Sequence, residues 1–178
     1  IAEGLRDAGA TVAILARSER VFEVAAADGF LPVRADLSQR ADLERGFADA
    51  LQALGTLDIL VNNAGITHSE ACETFAESEW DRVLQVNLTA GFRLSQLASR
   101  VMLPRRQGKI INVASVVSYS GGEFNIAYAT TKGAVARLTQ ALANEWAGRG
   151  VNVNAIAPGY METDLTASLT QDPELTRQ

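Results

Sequence analysis

The chain has 178 residues, 47% hydrophobic, 21% charged and 6% aromatic, a composition that supports one globular domain with a sizeable core and is too apolar for a disordered chain. No run approaches the roughly 20 apolar residues that cross a bilayer, and a net charge of −5, from 16 Lys and Arg against 21 Asp and Glu, argues against a surface built for nucleic acid. Cys72 is the only cysteine and His68 the only histidine, so an intrachain disulfide and the common zinc cages are out of reach and a Ser-His-Asp triad would rest on His68 alone. The expectation is an acidic, soluble, cytoplasmic α/β domain without a metal site.

In chain order, Ile1, Leu5 and Ala8 fall at helical spacing and run into Gly9-Ala10, a helix stop. A chain that opens in this way, without Met, reads as part of a longer one. Strands are predicted over residues 11–16, 30–34, 57–61, 109–114 and 151–156. They are apolar at nearly every position, as strands covered by helices on both faces should be. After Ser38, Leu43, Phe47, Leu51 and Leu54 mark one helical face, which Gly55 ends. From Ser78, read as an N-cap, Trp80, Val83, Leu84, Leu94, Ala98 and Val101 hold one stripe as far as Pro104. Val135, Leu138, Leu142 and Trp146 form another before Gly148 and Gly150. Strand and helix in alternation predict a doubly wound parallel sheet with helices on both faces, in one domain over residues 1–178.

In such a sheet, ligands collect at the carboxyl ends of the strands. The predicted strands are followed by Arg17-Ser18, Asp36-Leu37-Ser38, Asn62-Asn63-Ala64-Gly65, Ser115 and Pro158-Gly159. Each loop alone suits any βα connection; together they suit a ligand site. Asn87 sits on the apolar stripe of the helix after Ser78, where a buried amide without partners costs about 1–3 kcal/mol. It is either satisfied by neighbouring backbone or ordered water, or it serves a site.

The run Tyr128-Ala129-Thr130-Thr131-Lys132 stacks a phenol and an ammonium on one helical face. A nearby cation favours phenolate, so the pair could act as a general acid and base without histidine. Alone it would also suit an amphipathic surface helix. Its company is Ser115, at a strand end upstream, with Gly121-Gly122 between.

Asn62-Asn63-Ala64-Gly65, Asn87, Ser115, Tyr128 with Lys132, and Pro158-Gly159 together resemble the short-chain dehydrogenase/reductase family over essentially the whole chain. The resemblance implies a Rossmann-like, three-layer α/β/α fold, a nicotinamide cofactor, and hydride transfer between a secondary alcohol and a ketone. It assigns Tyr128 as acid and base, Lys132 to lower the Tyr128 pKa and bind the nicotinamide ribose, and Ser115 to hold the substrate oxygen. Asn87 would hold a water linking Lys132 to solvent. Cofactor contacts would come from Asp36 and Leu37 at the adenine, from Asn63, Ala64 and Gly65, and from Pro158, Gly159 and Thr163 near the carboxamide. Arg17, with Arg20 close by and no acid before Glu19, favours NADP over NAD, since a basic residue there suits a 2′-phosphate.

The family's first strand and glycine-rich turn would precede Ile1, and a further segment would follow Gln178. In that topology the first strand separates the strands predicted at 11–16 and 57–61. Residues 1–178 alone would leave ladder groups unpaired there, and are not expected to fold stably without it. Residues 144–161 and Ser118-Tyr119-Ser120-Gly121-Gly122 resemble the deoxygluconate and ketodeoxygluconate dehydrogenase branch, which implies a sugar, sugar acid or small polyol as substrate. Residues 87–95 also resemble the 3-oxoacyl-carrier-protein reductases, with Arg100, Arg105 and Arg106 available to a carrier protein. A catalytically silent member of the fold would be marked by loss of Ser115, Tyr128 or Lys132, and all three are present. The helices around 84–103 and 135–146 resemble those of the family's four-helix contact, so a homotetramer or homodimer is expected. His68 reads as an exposed loop residue and Cys72 as a small buried one.

Overall fold

A computed structural model describes residues 1–159 and Met161. The elements run α1 (Ala2–Asp7), β1 (Ala13–Ala16), α2 (Arg20–Asp28), β2 (Leu31–Arg34), α3 (Arg40–Leu54), β3 (Ile59–Asn62), a 3-10 turn (Cys72–Thr74) and α4 (Glu77–Leu84). A π turn (Gln85–Thr89) leads into α5 (Ala90–Arg105), followed by β4 (Gly108–Val113), α6 (Val117–Ser120), α7 (Ile126–Trp146), a second 3-10 turn (Ala147–Arg149) and β5 (Val151–Ile156). All five strands pair in parallel and the fold is Rossmann-like, as the alternating pattern predicts.

Among the described residues the sheet is in two parts: β1 pairs only with β2, and β3-β4-β5 form the other. This split is the one expected between the strands predicted at 11–16 and 57–61. Backbone bonds from Leu31 and Ala35 to the carbonyls of Val12 and Ala16 show that even-numbered residues of β1 bond towards β2. The bond from Lys109 to the Asp58 carbonyl gives β3 the same parity towards β4. The amides of Ala13, Leu15, Ile59 and Val61 therefore face the gap. A cavity of about 680 Å³ fills it, lined in part by Leu15, Phe47, Val61 and Leu94. Every residue of β3 is consequently only partly buried, whereas in β4 Gly108, Ile110 and Asn112 are buried.

The main core joins α5, β4, α7 and β5 through Ala98, Met102, Ile110, Leu142, Trp146, Val151 and Val153. A second cluster of Leu43, Ala90 and Leu94 joins α3 to α5. At Gly150 the chain enters β5 with φ +84°, and a Cβ there would lie 2.1 Å from the Arg106 carbonyl oxygen, so only glycine fits.

Three sequence expectations need correction. Ser78 lies inside α4, whose N-cap is Ala76; Glu77 and Glu79 complement the positive end of the helix without a side-chain cap. The stripe from Trp80 to Val101 is not one α-helix, because the π turn adds a residue at Gln85–Thr89 and shifts the phase between its halves. Pro104 does not end α5, which continues to Arg105; so near the terminus a proline forgoes little more than one backbone bond.

Candidate active site

The first two turns of α7 carry Tyr128 and Lys132 past the end of β4. Lys132 is 4% exposed, and its Nζ donates to the Val113 carbonyl at 2.6 Å while lying 5.5 Å from the centroid of the Tyr128 ring. Burial pulls its pKa from 10.5 down to about 8. An ammonium has three N–H donors, and among the described residues one acceptor is bonded to it, which leaves two for a ligand. Tyr128 is half-buried. Desolvation raises its pKa, and a hydrogen bond with the Ser115 hydroxyl acts in the opposite direction. The net shift is upward, and the only opposing contribution comes from Ser115; the expectation that Lys132 lowers the phenol pKa is not met, because its ammonium is directed to the Val113 carbonyl and to the ring face.

Ser115 is buried two residues beyond β4, where the turn into α6 fixes it. Its backbone N–H donates to Ser118 Oγ at 3.2 Å, its own Oγ accepts from the Val117 N–H at 3.4 Å, and its carbonyl accepts from the Ser118 N–H at 3.0 Å.

Asn87 lies in the π turn and is 5% exposed. Its Oδ1 accepts from the Ile66 N–H at 2.8 Å, and its Nδ2 donates to the Ile66 carbonyl at 2.9 Å and to Thr131 Oγ1 at 3.2 Å. The amide is therefore satisfied by neighbouring backbone, and it pins the Asn63-Ala64-Gly65-Ile66 turn against α7. A Cβ on Gly65 would stand 3.6 Å from Asn87 Oδ1 and 3.7 Å from Lys132 Nζ. Gly65, Asn87 and Lys132 therefore converge on one point.

Sequence reasoning missed a buried polar relay beneath this point. Asn62 Nδ2 donates to Asn112 Oδ1 at 2.8 Å and to Ser95 Oγ at 3.0 Å, and Asn112 Nδ2 donates to Thr139 Oγ1 at 2.9 Å. The relay ties β3 and β4 to α5 and α7, and Asn62 Oδ1 is buried without a hydrogen-bond partner among the described residues. Thr131, the second partner of Asn87, was legible only as part of the tyrosine–lysine run.

The remaining predicted residues lie at strand ends. Asn63 and Ala64 line the 680 Å³ cavity together with Asn87 and Lys132. Leu37 packs on the Leu43 cluster. Asp36 Oδ1 accepts from the Ser38 N–H at 2.9 Å, and its bonding with Ser38 holds its carboxyl below the usual range. The Pro158 carbonyl accepts from the Val116 N–H at 3.0 Å, which sets Pro158-Gly159 beside the Ser115 turn. Arg17 is exposed at the end of β1, and no hydrogen bond or ion pair engages its guanidinium among the described residues. It lines a separate cavity of about 570 Å³ with Phe22, Arg34 and Asp36. Thr163 lies outside the described residues.

Two side expectations change. His68 is not an exposed loop residue: it is partly buried, 3.1 Å from Glu70 and 3.6 Å from Glu79, with Phe75 edge-on to its ring. Cys72 is exposed, because it opens a 3-10 turn away from either core cluster. Among the described residues no cluster of His, Cys, Asp or Glu could hold a metal ion, and no helix is long and apolar enough to cross a membrane.

The sequence model for short chain dehydrogenases matches residues 1–174. A 2-dehydro-3-deoxy-D-gluconate 5-dehydrogenase of Bacillus subtilis is 55% identical over 116 residues, 65% of this chain and 46% of that protein. One from Pseudoalteromonas atlantica is 41% identical over 181 residues, 98% of this chain and 71% of that protein. Among solved structures, a gluconate 5-dehydrogenase of Burkholderia cenocepacia in complex with NADP and tartrate has a TM-score of 0.88 and 36% identity, covering 98% of this chain and 71% of that one. The match thus spans about half the length of the Bacillus relative and about seven tenths of the other two.

Proposed function

The chain belongs to the short-chain dehydrogenase family, and we propose from this that the whole protein is an NADP-dependent oxidoreductase interconverting a secondary alcohol and a ketone on a sugar acid. The observation that carries the reading is the convergence of Ser115, Tyr128 and buried Lys132 at the end of β4. The names of the relatives support a sugar acid as substrate, and the NADP in the Burkholderia structure supports the cofactor.

The residues present fit a nicotinamide dinucleotide. Lys132 keeps two N–H donors for ribose hydroxyls, Gly65 leaves the approach to its Nζ open, and Arg17 keeps an unpaired guanidinium for a phosphate. When bound, the cofactor supplies or accepts the hydride. Ser115 donates a hydrogen bond to the substrate oxygen, where negative charge develops in the reducing direction. Tyr128 gives its phenolic proton to that oxygen and takes it back in the oxidising direction; its raised pKa keeps the proton available at pH 7. Lys132 would hold the ribose, and its charge 5.5 Å from the Tyr128 ring centroid favours the tyrosine once it has lost its proton. Asn87 fixes the Gly65-Ile66 turn, and its Oδ1 has a second lone pair with which to hold a water. Asp36 and Leu37 would border the adenine, and Asn63, Ala64, Pro158 and Gly159 would border the rest of the dinucleotide. The proposed assembly is a homodimer or homotetramer through α5 and α7, a reading supported by Phe92 standing 43% exposed on α5.

The test is Tyr128→Phe in the full-length enzyme, assayed for NADP+ reduction with 2-dehydro-3-deoxy-D-gluconate and for NADPH oxidation with its 5-keto analogue and a 3-oxoacyl thioester. Turnover of a keto acid is expected and should vanish in the variant, while NADPH still quenches its fluorescence. Turnover of the thioester alone overturns the substrate class, and activity that survives in the variant overturns the mechanism.

A further inference from the structure

β1 and β2 end side by side, with Ala16 paired to Arg34. Arg17 continues from β1, and Glu19 follows two residues later as the N-cap of α2. Among the described residues, the Glu19 carboxylate does not cap that helix. It pairs with Arg34, whose Nη1 lies 2.6 Å from its Oε1. Arg34 also donates from Nε to the Arg17 carbonyl at 3.3 Å, so one guanidinium grips both ends of the Arg17-Ser18-Glu19 turn. Arg34 is held in its turn, because Arg45 Nη2 donates to the Arg34 carbonyl at 2.8 Å.

Of the three arginines that line the 570 Å³ cavity, Arg45 is occupied by Asp42 and Asp49 and Arg34 by Glu19. The Arg17 guanidinium has neither a hydrogen bond nor an ion pair among the described residues, although Asp36 on the same cavity acts on it electrostatically. Only Ser18 separates Arg17 from Glu19, close enough for an unrestrained carboxylate to pair with the guanidinium or to repel an anion arriving at it.

We propose that Arg34 is a specificity-determining positioning residue: by drawing Glu19 aside and neutralising it, it leaves Arg17 free for the 2′-phosphate of NADP. The inference rests on the nicotinamide reading above and adds a residue that acts through two others. It accounts for an acid beside a phosphate reader, since within this turn Glu19 serves as a counter-charge and not as an acceptor for ribose hydroxyls.

The experiment titrates the full-length enzyme with NADPH and with NADH by fluorescence at low ionic strength, where surface charges are least screened. Arg34→Gln should raise the NADPH Kd about fivefold, the range of an exposed ion pair, and leave the NADH Kd unchanged, which also reports that the variant is folded. Glu19→Gln should keep the NADPH Kd within about twofold, and the double variant should return to that value. Equal weakening of both cofactors by Arg34→Gln, or no weakening, overturns the proposal. A double variant that stays as weak as Arg34→Gln also overturns it, since Arg34 would then touch the phosphate itself. Binding of neither cofactor by the unmodified enzyme overturns the nicotinamide reading, and this inference with it.

Discussion

Lys132 carries its charge at neutral pH against the grain of its surroundings. Its side chain is almost fully buried, and burial lowers its pKa from 10.5 to about 8. At about 1.4 kcal/mol for each tenfold change in proton affinity, the displacement amounts to about 3 kcal/mol withheld from folding at pH 7. The sign follows from proton uptake. Between pH 8 and 10.5 the unfolded chain keeps the lysine proton while the folded chain releases it, so stability rises with pH through that window. Below pH 8 both states are protonated and the penalty is constant. The hydrogen bond to the Val113 carbonyl survives deprotonation, because a neutral amine still donates, so the charge alone titrates. Lys132→Met keeps the stem and removes that charge. Urea midpoints of both proteins from about pH 7 to 9.5, below the raised pKa of Tyr128, isolate Lys132, since groups not in contact with it cancel in the difference. The difference should move in favour of the lysine protein by about 2 kcal/mol as pH rises. A difference that stays flat above pH 8 refutes the assignment of a buried, charge-bearing lysine.

Asn87→Ala leaves the Ile66 N–H and carbonyl without their side-chain partners and should cost about 2–3 kcal/mol in a denaturant midpoint. Gly150→Ala places a Cβ 2.1 Å from the Arg106 carbonyl at a positive φ; a loss of about 1–3 kcal/mol is expected, a fall of roughly 3–10 °C in Tm by calorimetry.

The alternation of apolar strands and amphipathic helices was legible because each element follows from residues within one short window. All five strands appear where the pattern places them, with no end displaced by more than two residues and β5 coinciding with its predicted span. Those ends depend on pairing, and pairing is not local: β1 begins at Ala13 because Leu31 is its partner. The π turn at Gln85–Thr89 was hidden for a related reason. Trp80, Val83 and Leu84 fit one helical face and Leu94 and Ala98 fit another, and a period of 3.6 drawn through both conceals the added residue between them. That residue places Asn87 where its amide can meet both backbone groups of Ile66.

The site shows the same division more sharply. Tyr128 and Lys132 are one turn apart on one helix, so their alignment could be read directly, and Ser115 could be placed because a strand end precedes it. What sets their chemistry could not. The carbonyl that holds Lys132 belongs to Val113, 19 residues away, and any apolar residue in that register would present the same oxygen. The relay from Asn62 through Asn112 to Thr139 joins residues 50 and 27 apart. Each of them looks like an ordinary polar residue until the register sets Asn62 beside Asn112. Glu19 is the clearest instance. Read along the chain, it is the first acid after Arg17, two positions on, with no sign of what holds it. Read across the sheet, the pairing of Ala16 with Arg34 brings up a guanidinium that neutralises it. The identities of the reacting groups are thus written locally, while their charge states and freedom to bind are fixed by strand register, which a single sequence constrains only through the finished fold.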